Sequence, residues 1–183
     1  DAGAIRDKLV ASAELHIEQG PLLEAAGIRL AALHGILGVE RRLIRLKGQA
    51  FHAGATPIPL RRDPTLAAAR MALELRALGL RLNAFTTAGV WRVHPGVPTA
   101  VNGRTEFSMD MRHIDRAVLD QLVAGLDEIV GRVAAEEKVE ASIEVLWSID
   151  PIAFHPDLVA FAADIVEARS GLRHIMPSGP MHD

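Results

Sequence analysis

The most informative absence in this sequence is cysteine. The chain has 183 residues and none of them is cysteine, which excludes disulfide bonds, thiolate zinc sites and cysteine nucleophiles. Eight histidines are present. A metal ion held by this chain therefore needs imidazole and carboxylate ligands.

Long apolar runs and concentrated basic charge are also missing. No run approaches the roughly 18 apolar residues that span a bilayer, so we expect no membrane partner. The net charge is −3, and basic residues cluster only as the pairs Arg41-Arg42 and Arg61-Arg62. Because phosphate binding needs a concentrated basic face, we expect no nucleic-acid partner.

Three catalytic signatures do not occur in the sequence. These are the Gly-rich phosphate cradle, the Gly-x-Ser-x-Gly nucleophile elbow and the His-Glu-x-x-His helix. Their absence argues against nucleotide-binding, serine hydrolase and zincin functions. The composition, 49% hydrophobic and 23% charged, is that of an ordinary globular protein, and the length suits one sizeable domain or two small ones.

The middle of the chain, residues 38–150, predicts one α/β sandwich. Alternating polar and apolar residues predict strands at about 39–50, 85–93, 105–112 and 141–149. Asp63-Pro64 and Asp115 are N-caps that predict two helices, the first ending at Gly79. The order strand, helix, strand, strand, helix, strand is typical of a four-stranded antiparallel sheet with both helices on one face.

The flanking pieces, residues 1–37 and 151–183, are too short to bury a core of their own. The first predicts an alternating strand at 14–18, a helical turn at 22–26 ending at Gly27, and a buried strand at 28–37. The second predicts a helix at about 157–170 and an extended stretch at 174–176. We interpret the central unit as an insertion between two pieces of a larger domain.

Two histidines lie in turn-rich motifs near the two ends of the sequence. On a strand, Glu14, His16 and Glu18 share one face, so His16 is a candidate zinc or manganese ligand with carboxylates beside it. The alternative for His16 is an edge strand with a solvated polar face. His182, in the segment Ser-Gly-Pro-Met-His-Asp, can face a cavity or belong to a frayed terminus.

His52 and Arg112 are the other candidates. His52 lies among small residues just past a strand end, where it could donate a hydrogen bond to a developing oxyanion. The alternative is a turn histidine in water. Arg112 ends a predicted strand and can clamp a substrate carboxylate bidentately. The alternative for Arg112 is an ion pair with Asp110 or Asp115.

Four segments in register resemble the N-carbamoyl-L-amino-acid hydrolase family, which includes allantoate amidohydrolase and β-ureidopropionase. The segments are ELHIEQGPLLE, GQAFHAGATP followed by LRRD, FSMDMR and SGPMHD. The resemblance covers essentially the whole chain. It implies a cytoplasmic, metal-dependent amidohydrolase with two divalent ions (Zn or Mn) in a catalytic α/β domain. It also implies an inserted lid domain through which the enzyme forms a homodimer.

The resemblance also implies roles for individual residues. His16 would ligate one metal ion and His182 the other, and Gln19 would lie beside the small-molecule substrate. His52 would reach the site of the partner subunit and stabilise the tetrahedral oxyanion. Arg112 would bind the carboxylate of the N-carbamoyl amino acid.

This sequence departs from the family pattern in two respects. The family's substrate-binding asparagine, thirteen residues before the arginine, corresponds here to Thr99, and Asn102 does not align with it. The family's remaining metal ligands and its general-base glutamate lie upstream of the first residue of this chain. We therefore expect the chain alone to be inactive and to bind no metal tightly. The alternatives are an aminoacylase or dipeptidase of the same superfamily, and a non-catalytic dimerisation module.

Overall fold

The computed structural model describes residues 8–180 and folds them into helices and strands of mixed α/β type. The helices are α1 (Leu22–Ala26), α2 (Pro64–Arg81), α3 (Arg116–Glu136) and α4 (Pro156–Ser170), with a short 3₁₀ turn at Ile58–Leu60. The strands are β1 (Ala32–Ile36), β2 (Gly38–Lys47), β3 (Phe51–His52), β4 (Phe85–His94), β5 (Ala100–Val101), β6 (Arg104–His113), β7 (Glu140–Ile149), β8 (Ile152–Ala153) and β9 (Ile175–Ser178).

A four-stranded antiparallel sheet forms the centre of the chain, with strand order β4-β6-β2-β7. Helices α2 and α3 pack against one face of it. Most side chains buried between them are apolar, and the largest of these are Ile44, Met71, Leu75, Phe107, Met109, Met111, Leu119, Leu122 and Leu126; Glu40 and Thr105 are buried polar exceptions. The fold class expected from the sequence is therefore confirmed.

Both long helices begin at the predicted caps. The Asp63 carboxylate accepts a hydrogen bond from the Thr65 amide at 2.9 Å, and Asp115 caps α3 in the same way. The predicted end of α2 at Gly79 is wrong, because the helix continues to Arg81. A Cβ at Gly79 would lie 2.6 Å from the Thr86 side chain, so glycine serves there as a close contact between helix and sheet rather than as a helix stop.

A second, three-stranded sheet has the order β8-β1-β9, with β1 parallel to β9 and antiparallel to β8. Its strands come from the two flanking pieces of the sequence. The chain passes between the sheets at two adjacent points, Leu37 and Asp150-Pro151. The division of the chain into domains at these points stays a prediction.

The predicted strand at residues 14–18 is wrong, because this segment is irregular and mostly exposed. The reason lies in its last residues. Both carboxylate oxygens of Glu18 accept hydrogen bonds from the first turn of α1, from Leu22 N at 2.7 Å and Leu23 N at 2.9 Å. Gln19 adopts a left-handed φ of 55°, so the chain turns instead of extending. Within residues 8–180, no helix is both long and apolar enough to cross a membrane.

Candidate functional site

The candidate residues of the central unit lie at opposite ends of strand β6. His52 and Thr99 lie near its first residue, since β3 and β5 form a two-stranded ribbon and Gly48 N donates to Gly103 O at 2.9 Å. Arg112 lies near its last residue. Eight residues of antiparallel strand at about 3.4 Å each separate the two ends by about 27 Å. Side chains cannot bridge that distance around one small substrate.

The β3–β5 ribbon brings His52 and Thr99 together. His52 pairs with Ala100, and the next amide, Ala53 N, donates to the Thr99 carbonyl at 2.9 Å. Both His52 and Thr99 are exposed. No pattern in the sequence predicts this ribbon, whose strands have only two residues each.

The hydrogen bonds of His52 fix which ring nitrogen carries the proton. Gly54 N donates to His52 Nδ1 at 3.2 Å, so Nδ1 acts as an acceptor. In a neutral imidazole the proton then resides on Nε2. His52 therefore presents an N–H donor to solvent, which is the form that can stabilise an oxyanion.

Arg61 holds the turn that follows His52. Its Nη2 donates to Ala53 O at 2.7 Å, and its Nε donates to Thr56 O at 3.0 Å. These two bonds span the turn from both sides and restrict the backbone from which His52 projects. This role of Arg61 is not evident from the sequence. The motif LRRD after the turn contained the signal, but a bond from a side chain to a carbonyl five or eight residues back leaves no pattern in the sequence.

Arg112 forms an ion pair with Asp110, one of the two partners that the sequence offered as an alternative to substrate binding. Arg112 Nε donates to Asp110 Oδ1 at 2.7 Å, and Arg112 Nη2 lies 3.3 Å from Asp110 Oδ2. Arg112 Nη1 also donates to the carbonyl of Gly179 at 2.9 Å. The end of β6 is thereby joined to the segment that follows β9.

Asp110 is ionised more readily than an ordinary aspartate. Burial would raise its pKa, but hydrogen bonds from Arg112 and then from Arg41 outweigh burial, so the pKa lies below its usual range. Arg41 Nε donates to Asp110 Oδ2 at 2.8 Å. No local pattern in the sequence predicts a role for Arg41, which only the strand register brings next to Asp110.

His16 and Gln19 lie in the exposed segment before α1. His16 Nδ1 is 2.6 Å from the Ile17 carbonyl oxygen. A carbonyl can only accept, so in a neutral imidazole Nδ1 carries the proton and Nε2 is unprotonated. Metal-ligating histidines commonly use this tautomer, with the other nitrogen donating to a carbonyl.

His182 lies outside the described residues, three positions beyond the Gly179 carbonyl that Arg112 binds. The segment leading to it is anchored, because Leu37 N donates to Ser178 O at 3.0 Å and Ser178 is buried. Across residues 8–180, no three His, Asp or Glu side chains form a group that could hold a metal ion. His16 can supply one metal ligand, and a complete metal centre needs further ligands.

Comparison with known proteins gives relatives along almost the whole chain. It is 32% identical over 172 residues to the N-carbamoyl-L-amino-acid amidohydrolase of Paenarthrobacter aurescens, a match that covers 93% of this chain and 42% of the relative. It is 31% identical over 180 residues to the allantoate amidohydrolase of Escherichia coli (strain K12), covering 97% and 44%. No protein-family model matches the chain.

The fold also has relatives among solved structures. An amidase of the hydantoinase/carbamoylase family from Burkholderia multivorans superposes with a TM-score of 0.87 at 37% identity, covering 91% of this chain and 41% of that one. The chain therefore spans about two fifths of the length of the proteins it matches.

Proposed function

This chain belongs to the family of N-carbamoyl-L-amino-acid and allantoate amidohydrolases and spans about two fifths of the length of those proteins, and we propose that it forms part of a metal-dependent amidohydrolase. The reaction would be hydrolysis of a non-peptide C–N bond in an N-carbamoyl-L-amino acid or a related linear ureido compound. The observation that carries the proposal is the combined similarity of sequence and fold over nine tenths of the chain. A cytoplasmic location is part of the same proposal.

In the proposed enzyme, His16 and His182 each ligate one of two divalent metal ions, Zn or Mn. The tautomer of His16 fits this role, since its Nδ1 donates to Ile17 O and leaves the lone pair on Nε2. Bound metal ions of this kind polarise a carbonyl and activate water. The other ligands and the general base would come from other parts of the complete enzyme, so we propose that residues 1–183 alone are inactive and bind no metal tightly.

The remaining roles belong to the chain's own polar groups. His52 Nε2–H would donate to the oxygen that becomes negative when the ureido carbonyl is attacked. Arg112 would bind the substrate carboxylate through the N–H groups that do not contact Asp110 or Gly179. Thr99 and Gln19 would hydrogen-bond the substrate, Thr99 from its position beside His52. Replacement of the family's asparagine by Thr99 shortens that side chain, which bears on the substrate accepted.

The distance between His52 and Arg112 supports a homodimer. About 27 Å of β-strand separates them in one chain, so one substrate can contact both only if they come from different subunits. In the proposed dimer, the lid of each subunit would supply His52 to the site of the other. The site would then be incomplete in a monomer.

The lid also has a surface that suits pairing with a second copy. Strand β4 is at the edge of the sheet, and such an edge can pair with another strand. Leu66, Leu73 and Leu80 on the neighbouring helix α2 are 57%, 67% and 70% exposed. Because they are seven residues apart, they form one stripe along the helix. Two copies related by a twofold axis would cover both the leucine stripe of α2 and the edge of strand β4.

A substrate panel tests the proposal. The complete enzyme that contains this chain, supplied with Mn²⁺ or Zn²⁺, should hydrolyse N-carbamoyl-L-amino acids or allantoate faster than N-acetyl amino acids or dipeptides. It should sediment as a dimer, and residues 1–183 alone should show no turnover. Preference for N-acetyl compounds or dipeptides would instead indicate an aminoacylase or a dipeptidase. A dimer without activity on any of them would indicate a dimerisation module.

A further inference from the structure

Two arginines share the carboxylate of Asp110 on the face of the central sheet that lies away from the helices. Asp110 and Arg112 alternate on β6 with Met109 and Met111, which are buried in the helix-side core, so both polar side chains point to the other face. Arg41 lies directly opposite Asp110 on strand β2. Directly opposed residues are the closest side-chain neighbours in an antiparallel sheet.

Hydrogen bonds fix Asp110 from two sides. Its Oδ1 accepts from Arg112 Nε at 2.7 Å, and its Oδ2 accepts from Arg41 Nε at 2.8 Å. Arg41 is itself held, because its guanidinium lies 5.3 Å from the centre of the Trp147 ring, a cation–π distance. Arg41 therefore anchors the carboxylate, and the carboxylate holds Arg112.

The contacts of Arg112 also define which of its donors are left. A guanidinium has five N–H groups in one plane. Nε and one N–H of Nη2 point to Asp110, and one N–H of Nη1 points to the Gly179 carbonyl. With the guanidinium held by two separate partners, the orientation of its remaining N–H groups is fixed. A preset guanidinium loses less entropy when it binds a carboxylate bidentately.

We propose that Asp110, anchored by Arg41, is a positioning residue that presets Arg112 for the carboxylate of the substrate. This inference rests on the proposed function, in which Arg112 binds that carboxylate. Asp110 itself does not touch the substrate. Its removal should therefore weaken substrate binding through Arg112 and leave the chemical step unchanged.

A second ion pair on the same two strands provides a matched control. Arg45 and Glu106 are also directly opposite each other on β2 and β6, on the same face of the sheet, with Arg45 Nε 3.3 Å from Glu106 Oε1. This pair lies four residues away along both strands, toward the opposite end of the sheet, and is not bonded to Arg112. If the loss of a surface ion pair were all that mattered, Asp110→Asn and Glu106→Gln should change the kinetics equally. A positioning role predicts an effect of Asp110→Asn only.

The first measurement is steady-state kinetics of the complete, metal-loaded enzyme with an N-carbamoyl-L-amino acid. Asp110→Asn should raise KM about tenfold with kcat unchanged, since loss of one charge-assisted hydrogen bond of a clamp has about this effect. Glu106→Gln should leave both constants unchanged. Asp110→Glu, which keeps the charge one methylene further out, should recover part of the loss and remains informative if Asp110→Asn lowers the melting temperature.

The second measurement asks whether the effect passes through Arg112. In an Arg112→Lys background, Asp110→Asn should add less than a twofold further increase in KM, because residues that act through one another are not additive. With a substrate whose carboxylate is replaced by a carboxamide, the difference between wild type and Asp110→Asn should shrink in the same way. A purely structural effect would persist in both tests.

The outcomes separate this inference from the proposed function. An enzyme that turns over N-carbamoyl amino acids, but in which Asp110→Asn behaves like Glu106→Gln, would overturn the positioning role alone. Equal effects of Asp110→Asn on acid and carboxamide substrates would also overturn it. A wild-type enzyme that neither binds nor hydrolyses any N-carbamoyl amino acid would overturn the proposed function and this inference with it.

Discussion

The two ends of strand β6 hold their candidate site residues by different means. At the first end, His52 is exposed and is positioned by backbone contacts: a two-residue ribbon, and a turn whose carbonyls accept from Arg61. At the far end, Arg112 is half-buried and is positioned by a shared carboxylate. Backbone contacts depend on shape and are insensitive to pH, whereas an ion pair depends on the charge of Asp110. The two ends should therefore fail under different perturbations.

Removal of the imidazole should have the largest effect. In the complete enzyme, His52→Ala should lower kcat by about 10²–10³, the loss expected for one oxyanion donor, with little change in KM. Because His52 is exposed, the melting temperature of the His52→Ala variant should stay within about two degrees of wild type. A rise in KM with unchanged kcat would mean that His52 binds the ground-state substrate instead.

A single methyl group should disturb the backbone at the His52 end. A Cβ at Gly48 would lie 2.1 Å from the Arg62 carbonyl oxygen, so Gly48→Ala should destabilise the protein by about 2–3 kcal/mol through overpacking. The control is Gly131→Ala in helix α3, where a Cβ meets nothing within 4 Å. That change should stabilise by about 0.5–1 kcal/mol. Urea unfolding measures both, and equal shifts would contradict the packing argument.

Loss of the Arg61 clamp should affect catalysis through the turn. Arg61→Ala removes the donors to Ala53 O and Thr56 O, and we expect kcat to fall about tenfold as His52 becomes less well positioned. The neighbouring Arg62→Ala, at an exposed position, is the matched control and should retain wild-type kcat. If both variants were equally active, the turn would hold His52 without Arg61.

Acid should weaken only the Arg112 end. The folded-state pKa of Asp110 is below its ordinary value of 3.8, so its stabilising effect is fully present above that value and is lost as pH falls through the folded pKa. Asp110→Asn should cost about 1 kcal/mol of unfolding free energy at pH 7. The difference from wild type should shrink below about pH 4. A difference that kept its pH 7 size as the pH fell well below 3.8 would show that the charge of Asp110 is not its cause.

The sequence predicts the central fold well because its signals there are local. Asp63 and Asp115 cap helices that form as expected, and alternation locates all four long strands. The same period-two pattern misled at residues 14–18, where only a few residues alternate and Glu18 bonds to the following helix. Gly79 misled because a glycine can permit close packing as readily as it ends a helix.

The candidate site is only partly predictable from sequence. Both alternatives for Arg112 named residues close in the chain, and the pair with Asp110 is present. The role of Arg41 depends on strand register, and that of Arg61 on the path of a turn, so neither leaves a local pattern. The separation of His52 from Arg112 follows only once both are located on the same sheet. The metal roles of His16 and His182 stay predictions.

Mixing two inactive variants tests the central claim, that each site takes His52 from one subunit and Arg112 from the other. His52→Ala and Arg112→Ala enzymes, each nearly inactive, would be unfolded reversibly or co-expressed so that subunits mix. In a mixed dimer, one of the two sites regains both residues, so about a quarter of wild-type activity should return at random pairing. If His52 and Arg112 served the same subunit, no mixture would exceed the activity of its parents, and the shared-site account would be wrong.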